Sequence, residues 1–122
     1  MYNNRRFKKY FVFIYDMNEE SLFLDYVGDN PRMRVLQYLI EGSDFDYTLT
    51  DMLNAGVSWG TLNSLIPKFL ELGIIIKTRK IGRATLYKIN KNNVAVKQLK
   101  ELYNKLLLQH LENIDKKVEM VA

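Results

Sequence analysis

The sequence has no cysteine and a single histidine, His110, in 122 residues. The first absence removes disulfide frameworks and thiolate zinc sites. The second leaves no histidine-rich metal cluster and no histidine-based catalytic relay. No apolar run nears the roughly 18 residues that a membrane-spanning helix needs. The longest candidate, Tyr10 to Tyr15, follows Arg5, Arg6, Lys8 and Lys9 much as a signal-peptide core follows its basic end. It is too short, and Asp16 comes next with no small-residue cleavage site. No nucleophile–base pair, phosphate-binding loop or metal-ligand spacing stands out. The expectation is a cytoplasmic protein that is not an enzyme, with no membrane segment, metal or cofactor.

What is present is one domain's worth of chain, whose core would gain from a dimer interface. Charge is unevenly distributed. Residues 1–15 carry four bases and no acid, and residues 16–71 carry ten acids against Arg32, Arg34 and Lys68. Residues 72–100 carry eight bases and no acid. Two basic segments are the footprint of a polyanion binder, although a solvated basic surface gives the same count.

Residues 1–9 read as a flexible arm, and Tyr10–Tyr15, aromatic and β-branched, as a strand. Ser21 to Val27 reads as a short helix with Leu22, Phe23, Tyr26 and Val27 apolar, ended by Gly28. Asn30 caps the next helix with Pro31 at its first position, and Met33, Leu36, Leu39 and Ile40 form one face. After Gly42 and the acidic turn Ser43-Asp44-Phe45-Asp46, Thr48 and Asp51 fit a capping box. The helix from Leu49 to Ala55 turns Leu49, Met52 and Leu53 inward and ends at Gly56, where a left-handed residue is needed. Ser58 caps another helix, with Leu62, Leu65, Ile66, Phe69 and Leu70 apolar and Gly73 at its end. Two helices joined by a short Gly-containing turn form a helix-turn-helix pattern.

Ile74 to Arg79 reads as a strand, Lys80-Ile81-Gly82-Arg83 as a turn with Gly82 at positive φ, and Ala84 to Ile89 as the returning strand. From about Asn93 to Val118 one unbroken helix carries Val96, Leu99, Tyr103, Leu107, Leu111, Ile114 and Val118 at spacings of three or four. Leu106 and Leu108 add apolar surface beyond what one small domain needs, which favours dimerisation over folding back. The interface residues expected are Leu99, Tyr103, Leu106, Leu107, Leu111 and Ile114. His110 reads as an interface or surface residue. The fold class is mainly α with a small β-hairpin: a basic and aromatic N-terminal arm or extra strand (1–19), a winged helix-turn-helix domain (20–91) and a C-terminal dimerisation helix (92–122).

Asn30-Pro31-Arg32-Met33-Arg34-Val35-Leu36 resembles the opening helix of archaeal winged helix-turn-helix regulators related to the ArsR and MarR groups. Ala55-Gly56-Val57-Ser58 and Leu70-Glu71-Leu72-Gly73-Ile74-Ile75 are similar to their turn and to the junction of recognition helix and wing. Thr78 to Asn90 resembles the wing. The likeness covers roughly residues 20–108. It implies a DNA-binding fold, usually dimeric, with the recognition helix in the major groove. Residues 1–15 have no counterpart. Trp59 and Gly60 stand where such helices often carry an arginine, which removes the commonest guanine contact. The Cys and His of metal-sensing members are absent.

The expected partner is double-stranded DNA, bound by a homodimer, with no small-molecule effector indicated. The recognition helix (58–72) offers Ser58, Trp59, Thr61, Asn63, Ser64 and Lys68. Asn63 suits adenine; Thr61 and Ser64 suit bases or phosphate, and Lys68 a phosphate. Trp59 suits a sugar or a thymine methyl, and equally an interface or core position. Pro67 either bends the helix to the groove or is simply tolerated. The wing (74–89) offers Arg79, Lys80 and Arg83 to the backbone or minor groove, whereas Lys77 and Lys88 lie further from its tip. Arg5, Arg6, Lys8 and Lys9 suit a neighbouring minor groove or remain solvated. A transcriptional regulator, in the first instance a repressor, is the leading expectation. The alternatives are an architectural or DNA-segregation protein of low sequence specificity, and a winged-helix protein-interaction module.

Overall fold

A computed structural model describes residues 21–121. The arm residues Arg5, Arg6, Lys8 and Lys9 and the expected strand at Tyr10–Tyr15 lie outside the described residues. Along the described chain run α1 (Leu22–Val27), α2 (Pro31–Glu41), α3 (Leu49–Met52) with a 3-10 turn (Leu53–Ala55), α4 (Trp59–Glu71), β1 (Ile75–Ile81), β2 (Ala84–Ile89) and α5 (Val94–Val121). The result is mostly helical with one antiparallel hairpin, an order consistent with a winged-helix-like fold.

Side-chain caps set the helix starts. Asn30 Oδ1 accepts the Met33 N–H at 3.0 Å, with Pro31 at the first helical position where no N–H is needed. Thr48 Oγ1 accepts the Asp51 N–H at 3.1 Å and Asp51 Oδ2 accepts the Thr48 N–H at 2.9 Å, so the capping box is complete. The helix expected to run to Ala55 tightens to 3-10 at Leu53, then stops at Gly56 with φ 84°. Ser58 Oγ accepts the Thr61 N–H at 3.2 Å and opens α4. α4 continues through Pro67 to Glu71 without interruption.

The carbonyls left over at the end of α4 are taken by two asparagines. Asn90 Nδ2 donates to Gly73 O at 2.9 Å; Asn93 Nδ2 lies 3.1 Å from both Leu72 O and Gly73 O. Asn93 Oδ1 also accepts the Val96 N–H at 3.1 Å and so caps α5. One side-chain amide thus joins the end of one helix to the start of another.

The hairpin pairs Ile75 with Ile89, Ile76 with Lys88 and Lys77 with Tyr87; then it slips, so that Arg79 faces Leu86, Lys80 faces Thr85 and Ile81 faces Ala84. Thr78 is the extra residue at this slip and has no cross-strand partner, as at a β-bulge. Strand β1 runs further than expected, to Ile81, and the turn is only Gly82-Arg83. Gly82 has φ 61° and Arg83 a negative φ, the pattern of a type II′ turn, whose twist matches the strands. Tyr47 forms a bridge to the other edge of β2: its N–H donates to Tyr87 O at 2.7 Å and its carbonyl accepts the Tyr87 N–H at 2.8 Å.

One core collects residues from every element, with Phe23, Leu39, Met52, Leu62, Phe69, Ile75 and Val96 fully buried. Of the apolar residues of α1, Phe23 and Leu24 are buried, whereas Tyr26 is 66% exposed. Five apolar residues in the seven from 21 to 27 leave the helix face open in sequence, and packing against α5 selects it. Tyr103 and Leu106, expected at a dimer interface, belong to the chain's own core. The Tyr103 ring meets Phe23 edge-on at 5.6 Å, and its hydroxyl donates to Glu41 at 2.7 Å. Burial and that carboxylate push the Tyr103 phenol well above its ordinary range. Leu108, by contrast, is 61% exposed.

Candidate nucleic-acid interface

At 100° per residue the buried residues Leu62, Ile66 and Phe69 of α4 define one side, and Gly60, Ser64, Pro67 and Glu71 stand opposite. Asn63 and Lys68 flank that open side. Gly60 has nothing within 4 Å of where a Cβ would sit, so the helix presents a low, lightly furnished surface. Several of its polar groups are engaged locally. The Ser58 hydroxyl donates to Thr61 Oγ1 at 2.8 Å, and the Ser64 hydroxyl donates back to Gly60 O at 3.2 Å. Lys68 lies 3.4 Å from Glu71. Asn63 is exposed and has no hydrogen-bond partner among the described residues, which leaves its amide available.

Trp59, 51% exposed, stands at the start of α4 and lines a groove of about 290 Å³. The other walls are Thr48, Leu49 and Thr50 at the start of α3 and Arg83, Ala84, Thr85 and Tyr87 of the hairpin. The front of α4 and the hairpin tip therefore share one concave surface. Asn63 follows Trp59 by about one helical turn on the same flank. Thr48, Thr50 and Thr85 were not legible as groove residues in the sequence, because nothing in their spacing places α3 beside the hairpin.

The three hairpin cations differ in state. Lys80 and Arg83 have no acidic partner among the described residues. Arg79 is held by Asp46 through two bonds, Nε to Oδ2 at 2.9 Å and Nη2 to Oδ1 at 3.2 Å. Thr78 Oγ1 donates to the same Oδ2 at 2.6 Å. These donors, the Arg79 guanidinium first, hold the Asp46 carboxyl down at about 2. Elsewhere in the basic segment Lys91 bonds Asp44, whose carboxyl it lowers, and Lys100 Nζ donates to Ser43 at 2.8 Å. The acidic turn 43–46 thus takes up part of the positive charge of residues 72–100.

No group of histidine, cysteine, aspartate or glutamate suited to a metal ion occurs among the described residues, and none of their helices is long and apolar enough to cross a membrane. The arrangement that remains is a winged-helix-like body with a helix end and a basic hairpin around one groove. No protein-family model matches the chain, and neither does a curated protein. Among solved structures, the crystal structure of M. tuberculosis Rv0081 is similar, at 21% sequence identity and a TM-score of 0.50. The match covers 82% of this chain and 94% of that one, and the likeness is one of fold.

Proposed function

We propose that the protein binds double-stranded DNA as a winged helix-turn-helix regulator, acts without catalysis, and works as a dimer. In this reading α4 enters the major groove, roughly 12 Å wide, with Asn63 at the bases. Lys80 and Arg83 reach the backbone or the adjacent minor groove. The observation that carries it is the shared groove, in which Trp59 at the front of α4 and Arg83 at the hairpin turn face the same space. A duplex would engage both at once, the helix in the major groove and the hairpin on the backbone beside it.

One observation favours a second reading, a DNA-packaging or segregation role with low sequence preference. The open side of α4 is built of Gly60, Ser64 and Pro67, and the Ser64 hydroxyl is already bonded to Gly60 O, so few groups remain for reading bases. Competition binding separates the two. With a duplex selected from genomic fragments, a regulator should prefer its site over random DNA by at least about 10³-fold. A ratio near unity supports the packaging role. No binding to any duplex at about 50 mM salt, where phosphate contacts are strong, removes both.

A further inference from the structure

Asp46 lies in the loop before α3, 32 residues from Thr78 and 33 from Arg79, yet its carboxylate accepts bonds from both. In regular strand, neighbouring side chains point to opposite faces, and one carboxylate does not reach two of them. The register slip leaves Thr78 unpaired next to Arg79, and both side chains reach the same carboxylate oxygen. The Thr78 hydroxyl also lies 3.3 Å from Leu86 O. Leu86 is buried to 5% exposure although it is not part of the main core, and Arg79, its cross-strand partner, has the stem to cover it. The Asp46 side chain itself is only 18% exposed. Isolated surface ion pairs contribute little, but a forked arginine pair reinforced by a hydroxyl has fixed geometry. Next to it, the Tyr47 bridge to Tyr87 ties the same loop to the other edge of the hairpin.

We propose that Asp46 is a positioning residue: by gripping Thr78 and Arg79 it latches the hairpin to the helical body, and Arg79 serves this latch in place of a DNA contact. A two-stranded hairpin is marginal by itself, so its angle to α4 depends on such attachments. Beyond the latch, Lys80, Gly82 and Arg83 project as a preset tip. The consequence for DNA rests on the reading above; the latch itself does not.

The test has two arms on the full-length protein: hydrogen exchange of hairpin amides without DNA, and duplex affinity. Asp46→Ala, Arg79→Ala and the double variant should each speed hairpin exchange about tenfold, with the amides of α2 unchanged. Each should weaken duplex binding by a similar factor, and the double variant should be no worse than either single one. If Arg79 instead contacts phosphate, Asp46→Ala should tighten binding by releasing a cation. That result, or unchanged exchange, overturns the proposal. Should Asp46→Ala fail to fold, Thr78→Val removes the hydroxyl that bonds Asp46 without altering charge and must move exchange in the same direction. If the wild-type chain binds no duplex, the DNA reading fails while the exchange arm still decides the latch.

Discussion

Gly42 ends α2 with an ordinary backbone, φ −107°, so its lack of a side chain answers to space and not to conformation. A Cβ there would lie 1.7 Å from the Tyr47 hydroxyl and 2.8 Å from the ring carbon that bears it. Tyr47 cannot yield freely: its backbone bridges Tyr87, its ring meets Tyr38 at 5.1 Å, and burial raises its phenol above the usual range. Gly42→Ala should therefore destabilise the protein by about 1–3 kcal/mol, the usual penalty of overpacking. Urea denaturation checks this. Adding Tyr47→Phe, which removes the nearer clash, should recover part of the loss. An unchanged midpoint for Gly42→Ala would mean that the loop after α2 is far softer than its contacts imply.

At the scale of elements, the hairpin is where sequence and structure diverge most instructively. Its existence, its β-branched strands and its Gly turn are written locally, and so are the caps at Asn30, Thr48 and Ser58. Each depends on residues within three or four positions of one another, so the chain itself displays them. The register slip at Thr78 is not displayed, and neither is its link to Asp46, which lies more than thirty residues away. The charge count is incomplete for the same reason. Residues 72–100 hold eight bases and no acid, but the turn 43–46 folds back onto them and binds Arg79 and Lys91. Of the three wing cations singled out in the sequence, two stand clear. Changing Lys80 and Arg83 together to Ala should thus make the log–log salt dependence of duplex binding shallower by about 1.8, at about 0.9 per phosphate contact. A slope that does not move would take both residues off the DNA.

For the molecule as a whole, the dividing line runs along α5. Its first half is spent on the chain's own core through Val96, Tyr103 and Leu106. Leu107 still packs against that core, and from it Leu111, Ile114 and Val118 continue one half-exposed stripe at spacings of four, three and four. Sequence periodicity shows the stripe but not where the core stops using it, since both halves repeat alike. If the distal half pairs two copies, Leu111→Asp with Ile114→Asp should give a monomer in sedimentation while helical content is kept. Tyr103→Phe should instead cost about 1.5 kcal/mol of stability through the lost bond to Glu41 and leave the mass unchanged. A wild-type chain that sediments as a monomer at micromolar concentration would end the dimer reading.

Helix α5 is 28 residues long, about 42 Å from end to end at 1.5 Å per residue. Such a rod is a ruler. If a second copy docks along it, the place of docking sets the separation of the paired α4 helices, which under the DNA-binding proposal has to match the roughly 34 Å repeat of the duplex. Seven extra residues past Leu111 would keep the stripe in phase and lengthen the rod by about 10 Å, some three base-pair steps. The gauge of the operator would then shift with no DNA-facing side chain altered.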